Sequence, residues 1–216
     1  MIEGGANIGA HTVALSKLAG PTGAVLAFEP QRVVFQTLCA NLALNSCANV
    51  RTFQCGIGAV SGQIDVPFAP PDQACDFGGV SLLGAEGGEK VPLVRIDDLE
   101  LAACDVFKLD VEGMEVEALE GAAQTVRSFR PLMYVENDRQ ARAQALVGLL
   151  LDWDYRVYWH VTPLFSPDNF AGENENIFGN ICSFNLLCVP RERYISVTQM
   201  VEITSETSPL ALRPQG

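Results

Sequence analysis

Five acids in this chain close apolar stretches: Glu3, Glu29, Asp110, Glu112 and Glu136. The first opens the run Glu3-Gly4-Gly5-Ala6-Asn7-Ile8-Gly9-Ala10-His11-Thr12, which reads as a strand end, a glycine-dense turn and a helix start. Backbone without Cβ can turn sharply and approach a ligand closely. A helix start adds unpaired N–H groups and the positive end of a dipole, which together suit an anionic group.

Which nucleotide this turn serves follows from where it departs from the dinucleotide pattern G-x-G-x-x-G. Asn7 stands at the second glycine position, Gly9 comes one residue early, and Glu3 sits just before the turn. A pyrophosphate would lose its close approach and gain nothing from a carboxylate. S-adenosylmethionine (SAM) has no phosphate, and its amino-acid end carries an ammonium and a carboxylate. The expectation is Glu3 beside the ammonium, directly or through water, and the turn around Gly5, Asn7, Gly9 and Thr12 beside the carboxylate. A purely structural glycine turn is the competing reading. Glu29 lies 20 residues past Gly9, the spacing at which an acid meets a ribose diol in such folds. The bland alternative is a helix-start charge. Pro30, Gly56 and Asp110 complete the expected cofactor contacts, and the product would be S-adenosylhomocysteine.

Acids that end strands on one edge of a sheet can serve as a general base or hold a metal. Asp110 and Glu112 are the leading candidates, with Glu136 on the neighbouring strand and His11 behind them. Lys108 either holds one of these carboxylates ionised or simply pairs with it. A divalent ion among the three carboxylates is the less favoured alternative, and no residue is assigned as a metal ligand. His160 reads as an ordinary sheet residue.

The elements that must carry these groups alternate strand and helix. Ile8, Leu15 and Leu18 sit at helical spacing, and Gly20-Pro21-Thr22-Gly23 stops that helix. Residues 24–28 are a buried-strand pattern, near-continuous in apolar character, as in parallel sheets covered on both faces, and 105–112 read as a core strand that ends in two acids. Val34, Leu38 and Leu42 mark a second helix, and residues 50–55 a weaker third strand. Two extended stretches, 63–68 and 90–96, predict an inserted hairpin. The loop between them carries Phe77, either an adenine neighbour or a surface residue. If the strand through Lys108 persists, alternation puts Lys108, Asp110 and Glu112 on one face. One helix follows with Val116, Leu119, Ala123 and Val126 inward. A strand at 132–137, a helix at about 139–151 and a terminal pair at 155–161 and 184–189 complete the pattern. The long connection 162–183 is expected to wall an acceptor pocket. Residues 1–190 form the expected domain and 191–216 a C-terminal tail.

Bulk properties narrow the class. With 216 residues, 48% apolar and 19% charged, the chain suits one globular domain. A net charge of −12 and no basic stripe argue against nucleic acid as partner. Seven scattered cysteines with only two histidines favour reduced thiols over disulfides or zinc. No membrane association is expected, the expected location is cytoplasmic, and a homodimer is kept as one form of assembly.

Four stretches together resemble the FkbM-type family of SAM-dependent methyltransferases. They are the turn at Glu3–Thr12, Phe28-Glu29-Pro30, Arg95-Ile96-Asp97-Asp98-Leu99, and Lys108-Leu109-Asp110-Val111-Glu112-Gly113-Met114-Glu115. The resemblance implies an α/β, Rossmann-like class I methyltransferase sheet, mostly parallel, with seven strands and an antiparallel last strand. It also implies methyl transfer to a hydroxyl on a small molecule, sugar or natural product. Family members carry a segment upstream of the glycine turn, so the expectation is that such a segment is absent here. Two rival classes stand beside this reading: a catalytically silent SAM-binding scaffold, and a nicotinamide-dependent oxidoreductase that the Asn7 position disfavours.

Overall fold

A computed structural model describes residues 1–68, 79, 81–82, 84 and 87–206. Phe77, the expected adenine neighbour, lies outside the described residues. The chain divides into two compact units, Met1–Tyr134 and Val135–Gly216.

The first unit is built on parallel strands β1 (Ile2–Gly4), β2 (Val25–Phe28) and β3 (Val50–Phe53). Two further strands, β4 (Gly56–Ile57) and β5 (Gly62–Val66), precede β6 (Glu89–Val94). The strand β7 (Val106–Leu109) pairs parallel with β1. β8 (Leu132–Glu136) crosses the unit boundary, and the order in the first unit is β8-β7-β1-β2-β3. Every residue of β1 is buried, and Val25, Ala27, Phe28, Phe107 and Leu109 are closed to solvent, so these strands are apolar except at the buried pair Glu3 and Lys108. The expected hairpin is present as β5 against β6, and β4 joins it in parallel to make a separate three-stranded sheet.

Helix α1 (Ala10–Ala19) corrects one expectation. Ile8 is 45% and Leu18 76% exposed, and the buried face is instead Thr12 and Ser16. Polar chemistry wins because Asn49 reaches under the helix. Its amide donates to the carbonyls of Ser16, Gly20 and Gly23, and the Ser16 hydroxyl donates to it at 2.6 Å. Helix α2 (Arg32–Leu44) buries Val34, Leu38 and Leu42 as its periodicity requires.

The single helix expected after β7 is two: α3 (Glu115–Glu120) and α4 (Ala123–Phe129). The break sits at Gly121, where a Cβ would overlap the carbonyl of Gly58 and whose own carbonyl accepts the Asp97 amide at 2.9 Å. Asp97, in a short 3-10 turn (Ile96–Leu99), then caps α4 by accepting from the Thr125 amide and hydroxyl and the Gln124 amide.

In the second unit, α5 (Gln140–Asp152) leads into β9 (Tyr155–Pro163), which pairs antiparallel with β10 (Cys182–Pro190) over nine residue pairs. A short strand β11 (Val201–Ile203) adds to β9, giving the order β11-β9-β10-β8. The second unit thus carries one strand more than expected, because Ile203 finds a buried place against β9. Among the described residues no helix is long and apolar enough to cross a membrane.

Candidate functional site

The glycine turn is a strained piece of backbone held from three sides. Gly5, Asn7 and Gly9 all have positive φ, at 72°, 49° and 88°. The amides of Gly5 and Ala6 both donate to the Phe28 carbonyl, at 3.0 and 2.9 Å. Gly5 admits no side chain, since a Cβ would run into the Asp110 carbonyl; the Asp110 amide in turn donates to the Gly4 carbonyl at 3.1 Å. Gly9 packs on Leu38 and opens α1. The first amides of that helix have no intrahelical carbonyl to meet.

Glu29 clamps the turn to β2. One carboxylate oxygen accepts the Asn7 amide and the other the Gln31 amide, both at 2.9 Å. Each oxygen has two lone pairs, so one acceptor position on each is left for a further donor. Burial raises the pKa of Glu29; the Gln31 and Asn7 amides oppose that and Asp110 adds to it. Pro30 lies between these two partners in the chain, partly buried. Beside them a cleft is lined by Gln31, Val34, Val66, Phe68 and Glu89. Across it Arg32 pairs with Glu89 at 3.0 Å and lies over the Phe68 ring.

Glu3 is fully buried and directly opposite Lys108 in the β1–β7 register. The Lys108 ammonium sits 3.8 Å from Glu3 Oε1 and 3.4 Å from Asp110 Oδ2, so it bridges the two carboxylates. Neither oxygen of Glu3, nor the hydroxyl of buried Thr12 beside it, finds a hydrogen-bond partner among the described residues. Burial raises the Glu3 pKa; Lys108 and Thr12 pull it back down and Asp110 pushes it up. His11, in the first turn of α1, is pushed below the usual histidine value by burial and by Lys108, against the pull of Asp110. Burial and then Asp110 raise Tyr134. Asp110 thus acts electrostatically on Glu3, Glu29, His11 and Tyr134 from one position just past β7.

The strand does not persist through Asp110. β7 ends at Leu109, and Glu112 and Gly113 have φ of 53° and 100°, so the expected alternation of Lys108, Asp110 and Glu112 on one face is replaced by a tight turn. Glu115 makes that turn by accepting the amides of Val111 and Gly113 on one buried oxygen, at 3.1 and 3.2 Å. Sequence reading assigned Glu115 no role, although an acid five residues after Asp110, past a glycine, has the spacing of a side chain folding back on its own turn. Asp97 was missed for a different reason: its partners at 124 and 125 are distant in the chain. Gly56 sits buried in β4 against Leu93, in the three-stranded sheet and not at the end of a strand of the main sheet as its spacing suggested. Glu136 ends β8 within the second unit and His160 lies in β9, both partly buried. Burial pushes the thiols of Cys55 and Cys104 up to about 11, so neither is a nucleophile at neutral pH.

The family model for the methyltransferase FkbM domain matches residues 3–157, from the glycine turn to β9. This chain belongs to the FkbM methyltransferase family. It is 29% identical over 154 residues to methyltransferase sdnD of Sordaria araneosa, covering 56% of this chain and 59% of that protein. It is 31% identical over 128 residues to hexuronic acid methyltransferase AglP of Haloferax volcanii, covering 57% and 50%. The chain thus spans little more than half the length of the curated relatives it matches. The crystal structure of methyltransferase FkbM from Methylobacillus flagellatus superposes with a TM-score of 0.59 at 20% identity, over 87% of this chain and 42% of that one. Precorrin-6y C5,15-methyltransferase from Geobacter metallireducens follows at 0.56 and 16%, over 87% and 77%. Both likenesses establish the Rossmann-like class I methyltransferase fold for this FkbM chain.

Proposed function

We propose that this chain binds SAM and transfers its methyl group to a hydroxyl oxygen of a small-molecule, sugar or natural-product acceptor. One observation carries the reading: a sealed carboxylate, Glu3, and a sealed hydroxyl, Thr12, both without hydrogen-bond partners, stand directly behind a left-handed glycine turn. Buried polar atoms are rarely left unpaired in a folded protein. An ammonium group, reached across Thr12 or a water, supplies the missing donors, and the first amides of α1, which meet no intrahelical carbonyl, suit the carboxylate that accompanies it. The free acceptor positions on Glu29 suit the two hydroxyls of a ribose. Pro30, next to Glu29, is assigned to the same cofactor region.

SAM supplies an electrophilic methyl on a sulfonium; what the protein must do is position the alcohol and remove its proton. Asp110 is the base we favour. It is the least buried of the carboxylates bridged by Lys108, at 34% side-chain exposure against 0% for Glu3, and a base must meet its substrate. Glu112 and Glu136 are the alternatives. A sugar acceptor is supported by the hexuronic acid named for AglP. The net charge of −12 supports a partner other than nucleic acid.

Calorimetry with SAM, NAD and ATP on the full chain is the deciding experiment, followed by transfer of labelled methyl from SAM to a panel of neutral sugars, uronic acids and simple alcohols. SAM alone should bind, and label should appear on an alcohol. Tighter binding of NAD overturns the reading; SAM binding without transfer to any hydroxyl reduces it to a silent binder.

A further inference from the structure

Lys108 is the one buried lysine of the first unit, and nothing in the proposed chemistry uses it. Its ammonium is 7% exposed as part of the residue and touches two carboxylates on adjacent backbone segments. An uncompensated carboxylate inside a sheet is costly, and a buried acid without a cation protonates. The charge of Glu3 rests on Lys108 and, more weakly, on the neighbouring Thr12 hydroxyl.

We propose that Lys108 is a positioning residue for donor recognition: it is the internal counter-ion that keeps Glu3 a carboxylate, seated behind the glycine turn for the donor's ammonium. This rests on the reading of Glu3 given above. The charged and titratable groups around it are Lys108 opposite on β7, Asp110 beyond that strand, and His11 and Thr12 on α1. Tyr134 and Glu29 reach the cluster only through Asp110. Ala27, opposite Glu3 on β2, brings no charge. Asp110 opposes the ionisation of Glu3, so Lys108 is the sole cation here that favours it.

Removing Lys108 leaves burial and Asp110 to favour the protonated form of Glu3. The ammonium then loses a charged partner. Because that loss comes from protonation, raising the pH reverses it.

The test is SAM calorimetry at pH 6 and pH 8 on the wild type, Lys108→Met, Lys108→Arg, Glu3→Gln and the Glu3→Gln/Lys108→Met pair. Glu3→Gln reports how the ligand's own amine titrates. At pH 6, Lys108→Met should bind about ten- to hundredfold more weakly than wild type, matching Glu3→Gln. At pH 8 it should recover toward wild type relative to Glu3→Gln, and Lys108→Arg should behave as wild type at both. The double variant, with neither buried charge, should equal Glu3→Gln and fold even where Lys108→Met does not. The inference is overturned if Lys108→Met binds as wild type, if its loss ignores pH, or if the double variant binds clearly more weakly than Glu3→Gln. Wild-type affinity in Glu3→Gln overturns the underlying reading instead.

Discussion

Replacing Gly5 by alanine separates a conformational cost from a collision. At φ 72° the new side chain pays the left-handed penalty, about 1–2 kcal/mol. Its methyl also enters the Asp110 carbonyl, a backbone atom that no rotamer change can move. Relieving such overpacking costs about 1–3 kcal/mol more. The sum, about 2–5 kcal/mol, corresponds to a melting drop of roughly 5–15 °C for a chain of this size. Gly172 is the internal control, because it has φ 65° and nothing within 4 Å of where its Cβ would stand. Gly172→Ala should therefore lose only the conformational part, a few degrees by the same scale. The collision also acts on chemistry: the turn and Asp110 must part by about 1 Å or more, a displacement worth about a hundredfold in rate where geometry matters. Thermal melts of both variants with SAM titrations decide the matter. Equal losses in Gly5→Ala and Gly172→Ala, or unchanged SAM affinity in Gly5→Ala, refute the claim that the first turn and Asp110 form one rigid junction.

Three further outcomes are expected. Burial pushes the Asp97 carboxyl up, but the amides of Gln124 and Thr125, the Thr125 hydroxyl and Arg95 outweigh that and hold it below the usual aspartate value. Its stabilisation is therefore complete above about pH 4 and fades as pH falls through the lower folded value. Asp97→Asn should cost about 2–4 kcal/mol by urea unfolding at pH 7 and much less near pH 3; a gap that persists in acid counts against this. Glu115→Ala leaves the Val111 and Gly113 amides without their acceptor and should cost about 2 kcal/mol, while Glu115→Gln, which keeps an oxygen there, should cost far less in the same melt. Asn49→Ala removes three carbonyl contacts and the Ser16 hydroxyl bond under α1, so about 2–3 kcal/mol of stability should go while SAM affinity stays at the wild-type value.

What the chain disclosed by itself was whatever depends on neighbours in sequence. Val34, Leu38 and Leu42 repeat with the helix, and the structure buries all three. The runs around Phe28 and Phe107 are largely apolar because both sides of those strands are covered. The same logic misled on α1, where Leu18 obeys the period but points to solvent, while Ser16 is buried on its hydrogen bonds to Asn49 and Thr12 is buried beside Glu3. Periodicity weighs apolar residues only, so a face seated on Asn49 and Glu3 is invisible to it. Lys108 was recognised as a partner for a carboxylate, but its pairing with Glu3 depends on β1 and β7 lying side by side across 105 residues of chain. Gly121 was read as interior to one helix because the group that takes its carbonyl, the Asp97 amide, lies far back in the sequence.

The grip of Glu29 on Asn7 and Gln31 has a consequence for how selective this protein can be. A loop that waits for its ligand to give it shape spends part of every encounter on acquiring that shape, and it can bend to accommodate poor fits. Here the curve is cast beforehand by a side chain the ligand never replaces. If this turn takes the nucleoside proposed for it, one with altered sugar pucker or a missing hydroxyl meets a mould that will not yield, and discrimination should show up as fast departure rather than slow arrival.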